Sequence, residues 1–163
     1  MKLSVIIPVY NEAKTVEEAI RKVEAVNIDI DKEIIAVDDG SSDGSLNVLI
    51  GIANEGRIKL IKHDSNSGKG TAIKSGLKQA SGEIVIIQDA DLETDPQDYY
   101  ELIRPIINGE TRAVFGFRTA KKPASIYWWG GRLVSLITRL LYGGNVKDVN
   151  NGYKVMTRDL WQS

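Results

Sequence analysis

Short apolar runs rich in β-branched residues alternate with helically spaced segments along most of this chain. That alternation restricts the fold more than any other feature. Residues 3–9, 33–37, 57–62, 83–88 and 112–117 read as strands. The third of these alternates basic with apolar side chains, as a half-exposed edge strand should. Between the first two runs, Ala13, Val16, Ala19, Ile20, Val23 and Val26 fall on one helix face. Thr15-x-x-Glu18 predicts a capping box at its start. Residues 45–54, 71–80 and 96–108 predict three more helices. Asp95-Pro96 starts the last, with Asp as N-cap and Pro in the first turn, and Pro105 is expected to kink it. Buried strands that alternate with helices pack as a parallel sheet covered on both sides. The predicted class is α/β, a mostly parallel central sheet with helices on both faces, and 163 residues predict one domain, 1–163.

Composition narrows the chemistry by exclusion. With no cysteine, disulfides and thiolate metal sites are out, and a reducing compartment is expected. One histidine, His63, rules out a multi-histidine zinc site within the chain, and as a lone His at a strand end it is expected to be a surface hydrogen-bonder. The net charge of −1 gives no signal for nucleic acid. No run approaches the length of a membrane-spanning helix, so the chain is expected to be cytoplasmic, or held at the cytoplasmic face of a membrane. Residues 125–142 carry a helical apolar stripe with Trp129, Arg132 and Arg139 among it. Such a stripe suits core packing, and it equally suits peripheral contact with a membrane surface. The chain stops soon after a loop-to-strand segment at 148–156, so 119–163 reads as an incomplete second part.

Polar side chains gather where the strands end. Pro8, Tyr10, Asn11 and Glu12 follow the first strand, Asp38 and Asp39 the second, His63 to Gly70 the third, Asp89, Asp91 and Glu93 the fourth, and Arg118 the fifth. In an open parallel sheet ligands bind outside the carboxyl ends of the strands. Asp89-Ala90-Asp91 is the sharpest of these groups. In an extended backbone residues two apart point the same way, so both carboxylates could meet one hard cation, with Glu93 joining them. Alone the pattern is common in turns. Its company of acids, Lys69 and Arg118 suits a diphosphate with a bound cation. Other phosphate and metal loops fail. Gly68-Lys69-Gly70-Thr71 lacks the earlier glycine of a P-loop, and no G-x-G-x-x-G follows the first strand. Thr94 and Tyr100 stand where a calcium loop needs Gly and Glu.

Four segments in order, Pro8-Val9-Tyr10-Asn11-Glu12, Val37-Asp38-Asp39-Gly40-Ser41-Ser42-Asp43-Gly44, Asn66-Ser67-Gly68-Lys69-Gly70 and Gln88-Asp89-Ala90-Asp91-Leu92, resemble family-two glycosyltransferases of the GT-A fold. The resemblance is strongest to the polyprenyl-phosphate (dolichol-phosphate) mannosyl- and glucosyltransferases. Phe115-Gly116-Phe117-Arg118 resembles that branch's Gly-Ser-Arg segment, with Phe117 in place of Ser, and Asp148 to Lys154 resembles its later Asp…Gly-(Phe/Tyr)-Lys segment. The resemblance implies a Rossmann-like nucleotide-sugar-binding part over 1–118 and an acceptor-side part over 119–163. It implies that Pro8, Tyr10, Asn11, Glu12, Asp38 and Asp39 line the base and ribose pocket, and that Lys69 sits near the base or the phosphates. Asp89, Asp91 and Glu93 would hold Mg²⁺ or Mn²⁺ on the diphosphate of a GDP- or UDP-hexose. Arg118 would face the acceptor phosphate or the leaving diphosphate, and Asp148 would act as base or orient the acceptor. The implied reaction is metal-dependent inverting transfer of a hexose to a polyprenyl phosphate. Transfer to a glycan or glycolipid hydroxyl, or nucleotide-sugar binding without turnover, are the alternatives.

Overall fold

The computed structural model describes residues 1–116 and 153–162. Among them six strands form one sheet: β1 (Lys2–Val9), β2 (Asp31–Asp38), β3 (Lys59–Lys62), β4 (Ile84–Ile87), β5 (Ala113–Phe115) and β6 (Lys154–Thr157), in the order β3-β2-β1-β4-β6-β5. The first four pair in parallel, with Val9 opposite Asp38 and Ile6 opposite Ile87. β6 inserts antiparallel between β4 and β5.

The helices are α1 (Val16–Ala25), α2 (Ser45–Asn54), α3 (Lys69–Gln79), α4 (Tyr99–Ile107) and the short α5 (Arg158–Gln162). The alternation of the central strand divides them. Leu3, Val5, Ile7 and Val9 pack with Val16, Ile20 and Val23 of α1, Leu49 and Ile52 of α2, and Ile103 and Ile106 of α4. Ile6 faces the other way, with Ile35, Val37, Val85 and Ile87, and meets Ala72 and Leu77 of α3 and Trp161 of α5. Each strand of the centre is therefore apolar on both sides, which explains why β1 and β4 read as continuous apolar runs.

Two local signals change in the structure. Thr15 does precede α1, but its hydroxyl donates to Glu12 Oε2 at 2.6 Å and Glu18 is engaged by Arg21, so the capping box does not form. The predicted helix over 96–108 divides into a 3₁₀ turn, Pro96–Asp98, and α4. Asp95 caps the turn by accepting the Gln97 N–H at 3.1 Å, and Pro105 falls in the last turn of α4. No described helix is long and apolar enough to cross a membrane. The stripe over 125–142 lies outside the described residues.

Candidate functional site

Strand order fixes where a crevice can open. From β1 the chain winds to β2 and β3 on one side, then β4 takes the other side, so the order reverses at β1 and β4. Connections leave a parallel sheet in opposite directions at such a point, and their loops part at the carboxyl ends. A cleft of about 300 Å³ lies there. Pro8, Val9, Tyr10 and Glu12 line it from the end of β1, and Asp39 from the end of β2. Asn66, Gly68, Lys69 and Ala72 close the α3 side, and Asp89, Ala90 and Asp91 follow β4.

Each wall has a local cause. Pro8 sits in the central strand, where a missing N–H would ordinarily break a ladder. Ile6 uses its β4-facing carbonyl to accept the Gln88 N–H at 3.0 Å, and β4 pairing ends at Ile87. Pro8, two residues on and facing the same side, lies beyond that ladder, so its missing N–H costs the sheet little. Asn11 follows in a left-handed conformation (φ 56°) and does not line the cleft. Its amide N–H donates to Ser41 Oγ at 3.0 Å and its side-chain oxygen accepts the Ser42 N–H at 2.8 Å, tying the loop after β1 to the loop after β2.

Asp38 and Asp39 part company. Strand alternation sends them to opposite faces. Asp38 is fully buried away from the cleft. Its Oδ2 accepts the Ser41 N–H at 3.2 Å, and among the described residues its Oδ1 meets no hydrogen-bond donor. Asp39 faces α3 and gathers the loop after β3: His63 Nδ1 at 2.6 Å and the Ser67 N–H at 3.0 Å reach Oδ1, and the Gly68 N–H reaches Oδ2 at 2.8 Å. Gly40 permits that approach, since a Cβ there would stand 2.5 Å from the Ser65 carbonyl carbon. Burial pushes the Asp39 carboxyl up, but the hydrogen bonds from His63, Ser67 and Gly68 outweigh it and leave it below the ordinary carboxylate value.

The stretch after β4 is a turn, not an extended segment. Leu92 takes a left-handed φ of 61°, and the Glu93 N–H folds back to Asp91 Oδ1 at 2.9 Å. Asp89 and Asp91 both reach the cleft, whereas the bend keeps Glu93 off its wall. Behind them lies a buried polar network that local sequence patterns do not reveal. The Tyr99 hydroxyl donates to Gln88 Oε1 at 2.8 Å, and Gln88 Nε2 donates to Thr94 Oγ1 at 2.8 Å and to the Asp89 carbonyl at 2.9 Å. Lys69 closes the cleft from the first turn of α3, with Nζ 2.5 Å from Asp89 Oδ1. Arg118 and Asp148 lie outside the described residues.

Among the described residues no group of three or more His, Asp or Glu side chains is placed to hold a metal. The expected trio of Asp89, Asp91 and Glu93 is thus not gathered. Two carboxylates on one cleft wall do fit a hard divalent ion that draws its remaining oxygen ligands from a phosphate-bearing partner and from water.

The chain matches the family model described as glycosyl transferase family 2 over residues 4–161. It is 34% identical over 114 residues to a dolichol-phosphate mannosyltransferase of Pyrococcus furiosus, covering 70% of this chain and 32% of that protein. It is 32% identical over 150 residues to an undecaprenyl-phosphate 4-deoxy-4-formamido-L-arabinose transferase of Pseudomonas aeruginosa, covering 90% of this chain and 44% of that one. The chain therefore spans less than half the length of these relatives. Among solved structures it resembles glucosyl-3-phosphoglycerate synthase of Mycobacterium tuberculosis, solved with Mn²⁺, UDP-glucose and phosphoglyceric acid. The TM-score is 0.77 and the identity 25%, over 98% of this chain and 57% of that one. The fold is shared with a mannosyltransferase of Pyrobaculum calidifontis solved with GDP-mannose and Mn²⁺, at a TM-score of 0.72 and 24% identity, over 98% of this chain and 45% of that one.

Proposed function

This chain belongs to glycosyl transferase family 2, and from that premise we propose that it binds a nucleoside-diphosphate sugar in the cleft and transfers the hexose to a polyprenyl phosphate. The observation that carries the reading is the convergence of Asp39, Lys69, Asp89 and Asp91 on one cleft at the reversal of strand order. Two relatives named for polyprenyl-phosphate acceptors support the acceptor class.

Each wall has a task under this reading. Pro8 and the half-exposed ring of Tyr10 offer a stacking surface for the base and ribose. Asp39, ionised and fixed by three donors, keeps acceptor capacity for an N–H or O–H of the nucleoside. Asp89 and Asp91 hold Mg²⁺ or Mn²⁺, which when bound stabilises the charge that develops on the departing diphosphate. Lys69 offers its ammonium to the same phosphates. A lipid phosphate is already anionic at neutral pH, so it attacks in line, inverts the anomeric carbon and requires no strong base. Arg118 is assigned to the acceptor phosphate or leaving group and Asp148 to acceptor orientation. Residues 125–142 are assigned to peripheral membrane contact at the cytoplasmic face.

A second reading, transfer to a hydroxyl, draws on the likeness to glucosyl-3-phosphoglycerate synthase, solved with a non-lipid acceptor. An acceptor assay separates them: transfer confined to hydroxyl acceptors excludes the lipid-phosphate reading. The donor half is tested by calorimetry with GDP- and UDP-hexoses and added Mg²⁺ or Mn²⁺. At least one donor is expected to bind in a metal-dependent way, and Asp91→Ala is expected to abolish that binding. Unchanged metal-dependent binding in the variant refutes the assignment.

A further inference from the structure

We propose that Lys69 is an internal counter-ion that withholds Asp89 from a divalent metal until a nucleoside diphosphate enters the cleft. The proposal rests on the reading of Asp89 and Asp91 as the metal-bearing pair.

The geometry places the ammonium where a metal would have to bind. Lys69 Nζ stands 2.5 Å from Asp89 Oδ1, and the two side chains are 57% and 19% exposed. The base of the lysine is held. Gly68, just before it, gives its N–H to Asp39 Oδ2 at 2.8 Å and to Asn66 Oδ1 at 3.0 Å. Beyond that anchored backbone runs a flexible four-carbon stem with a compact charge at its tip. The second carboxylate is also engaged, since Asp91 Oδ1 accepts the Glu93 N–H at 2.9 Å. The other acids of the cleft are committed elsewhere. Glu12 Oε2 accepts from Thr15 at 2.6 Å, and Asp39 is met by its three donors.

Two carboxylates therefore share their field with one ammonium. A divalent ion arriving alone must displace that ammonium, or sit beside it, while shedding bound water. A nucleoside diphosphate reverses the balance. Its oxygens draw the ammonium away from Asp89 and supply the ligands that two carboxylates lack. Lys69 thus opposes the metal when the cleft is empty and works with it when a diphosphate lies between them. Metal and nucleotide are then coupled, and by linkage each strengthens the other by the same factor.

The test titrates Mn²⁺ into wild type, Lys69→Met and Lys69→Arg, with and without GDP or UDP, reading free Mn²⁺ by paramagnetic resonance. Lys69 is exposed, so circular dichroism of the variants should be unchanged. Lys69→Met is expected to bind Mn²⁺ alone about tenfold tighter than wild type. Lys69→Arg should stay close to wild type. The enhancement of Mn²⁺ binding by the nucleotide should shrink in Lys69→Met, and Asp91→Asn in that background should remove the gain. An unchanged or weaker Mn²⁺ affinity in Lys69→Met overturns the proposal while leaving the metal-bearing pair in place. Metal-dependent nucleotide binding that survives Asp91→Asn in wild-type background overturns the underlying reading, and the proposal with it.

Discussion

Asp39 is committed to His63, Ser67 and Gly68 before any ligand arrives. His63 is in turn braced, with Nε2 2.9 Å from Ser75 Oγ on α3 and a side chain only 15% exposed. The surface hydrogen-bonder expected from the sequence is a largely buried strut between the cleft and a helix. His63→Phe should therefore loosen Asp39 and the loop to Gly68, and lower donor affinity by about tenfold, the loss expected for a hydrogen bond to a charged group. His63→Asn, which keeps an N–H donor, should recover part of it. Calorimetry with the preferred donor measures both, and equal affinities in all three proteins would show that the amides of Ser67 and Gly68 hold Asp39 without help. That Asp39, Lys69, Asp89 and Asp91 share one cleft is legible from the sequence, because chemistry-bearing side chains stand out at strand ends. Glu93 stays off the cleft wall because a left-handed Leu92 bends the chain out of the extended alternation that a strand end suggests. Gln88 and Tyr99 gave no local sign of their role, since their hydrogen bond joins residues from a strand end and a helix.

Helix α3 shows how an element is set by both local pattern and tertiary contact. Ala72, Gly76 and Leu77 form its buried face, at helical spacing. Its start is displaced from the expected Thr71 to Lys69. The Gly68 carbonyl accepts the N–H groups of Thr71 at 2.9 Å and Ala72 at 3.1 Å, while Asp39, just past the end of β2, holds the Gly68 amide. Gly76 is dictated by packing: a Cβ there would stand 2.6 Å from Ile6 Cγ2 in the central strand. Gly76→Ala gains helix propensity but forces α3 off the sheet, and the overpacking is expected to dominate, at about 1–3 kcal/mol of lost stability. Urea denaturation checks this, and a midpoint at or above wild type would show that Ile6 yields. The missing capping box has the same kind of origin, because Glu12 captures the Thr15 hydroxyl before the helix can use it.

Across the whole molecule, Glu33 ties the sheet together away from the cleft. It accepts from Ser4 Oγ of β1 at 2.6 Å, from Lys59 Nζ of β3 at 2.7 Å, and from the Ser81 N–H ahead of β4 at 2.7 Å. Burial pushes its carboxyl up, but Lys59, Ser4 and Ser81 outweigh that and hold it far below its ordinary value of 4.5. A carboxylate depressed in the folded state contributes stability that is fully present above its unfolded value and is lost as pH falls through that value toward the folded one. The wild-type urea midpoint should thus drop between about pH 6 and about pH 3 more steeply than that of Glu33→Gln. Parallel curves would remove Glu33 from the acid response. The sequence by itself determined the strands, the helices and the polar strand ends, because periodicity and turn chemistry act over a few neighbouring residues. Only the tertiary structure decided that β6 enters antiparallel between β4 and β5, that Asp38 and Asp39 serve opposite faces, and that Lys69 meets Asp89. The reason is physical. These outcomes depend on which distant segments share a buried surface and on where the strand order reverses, and a local pattern carries neither.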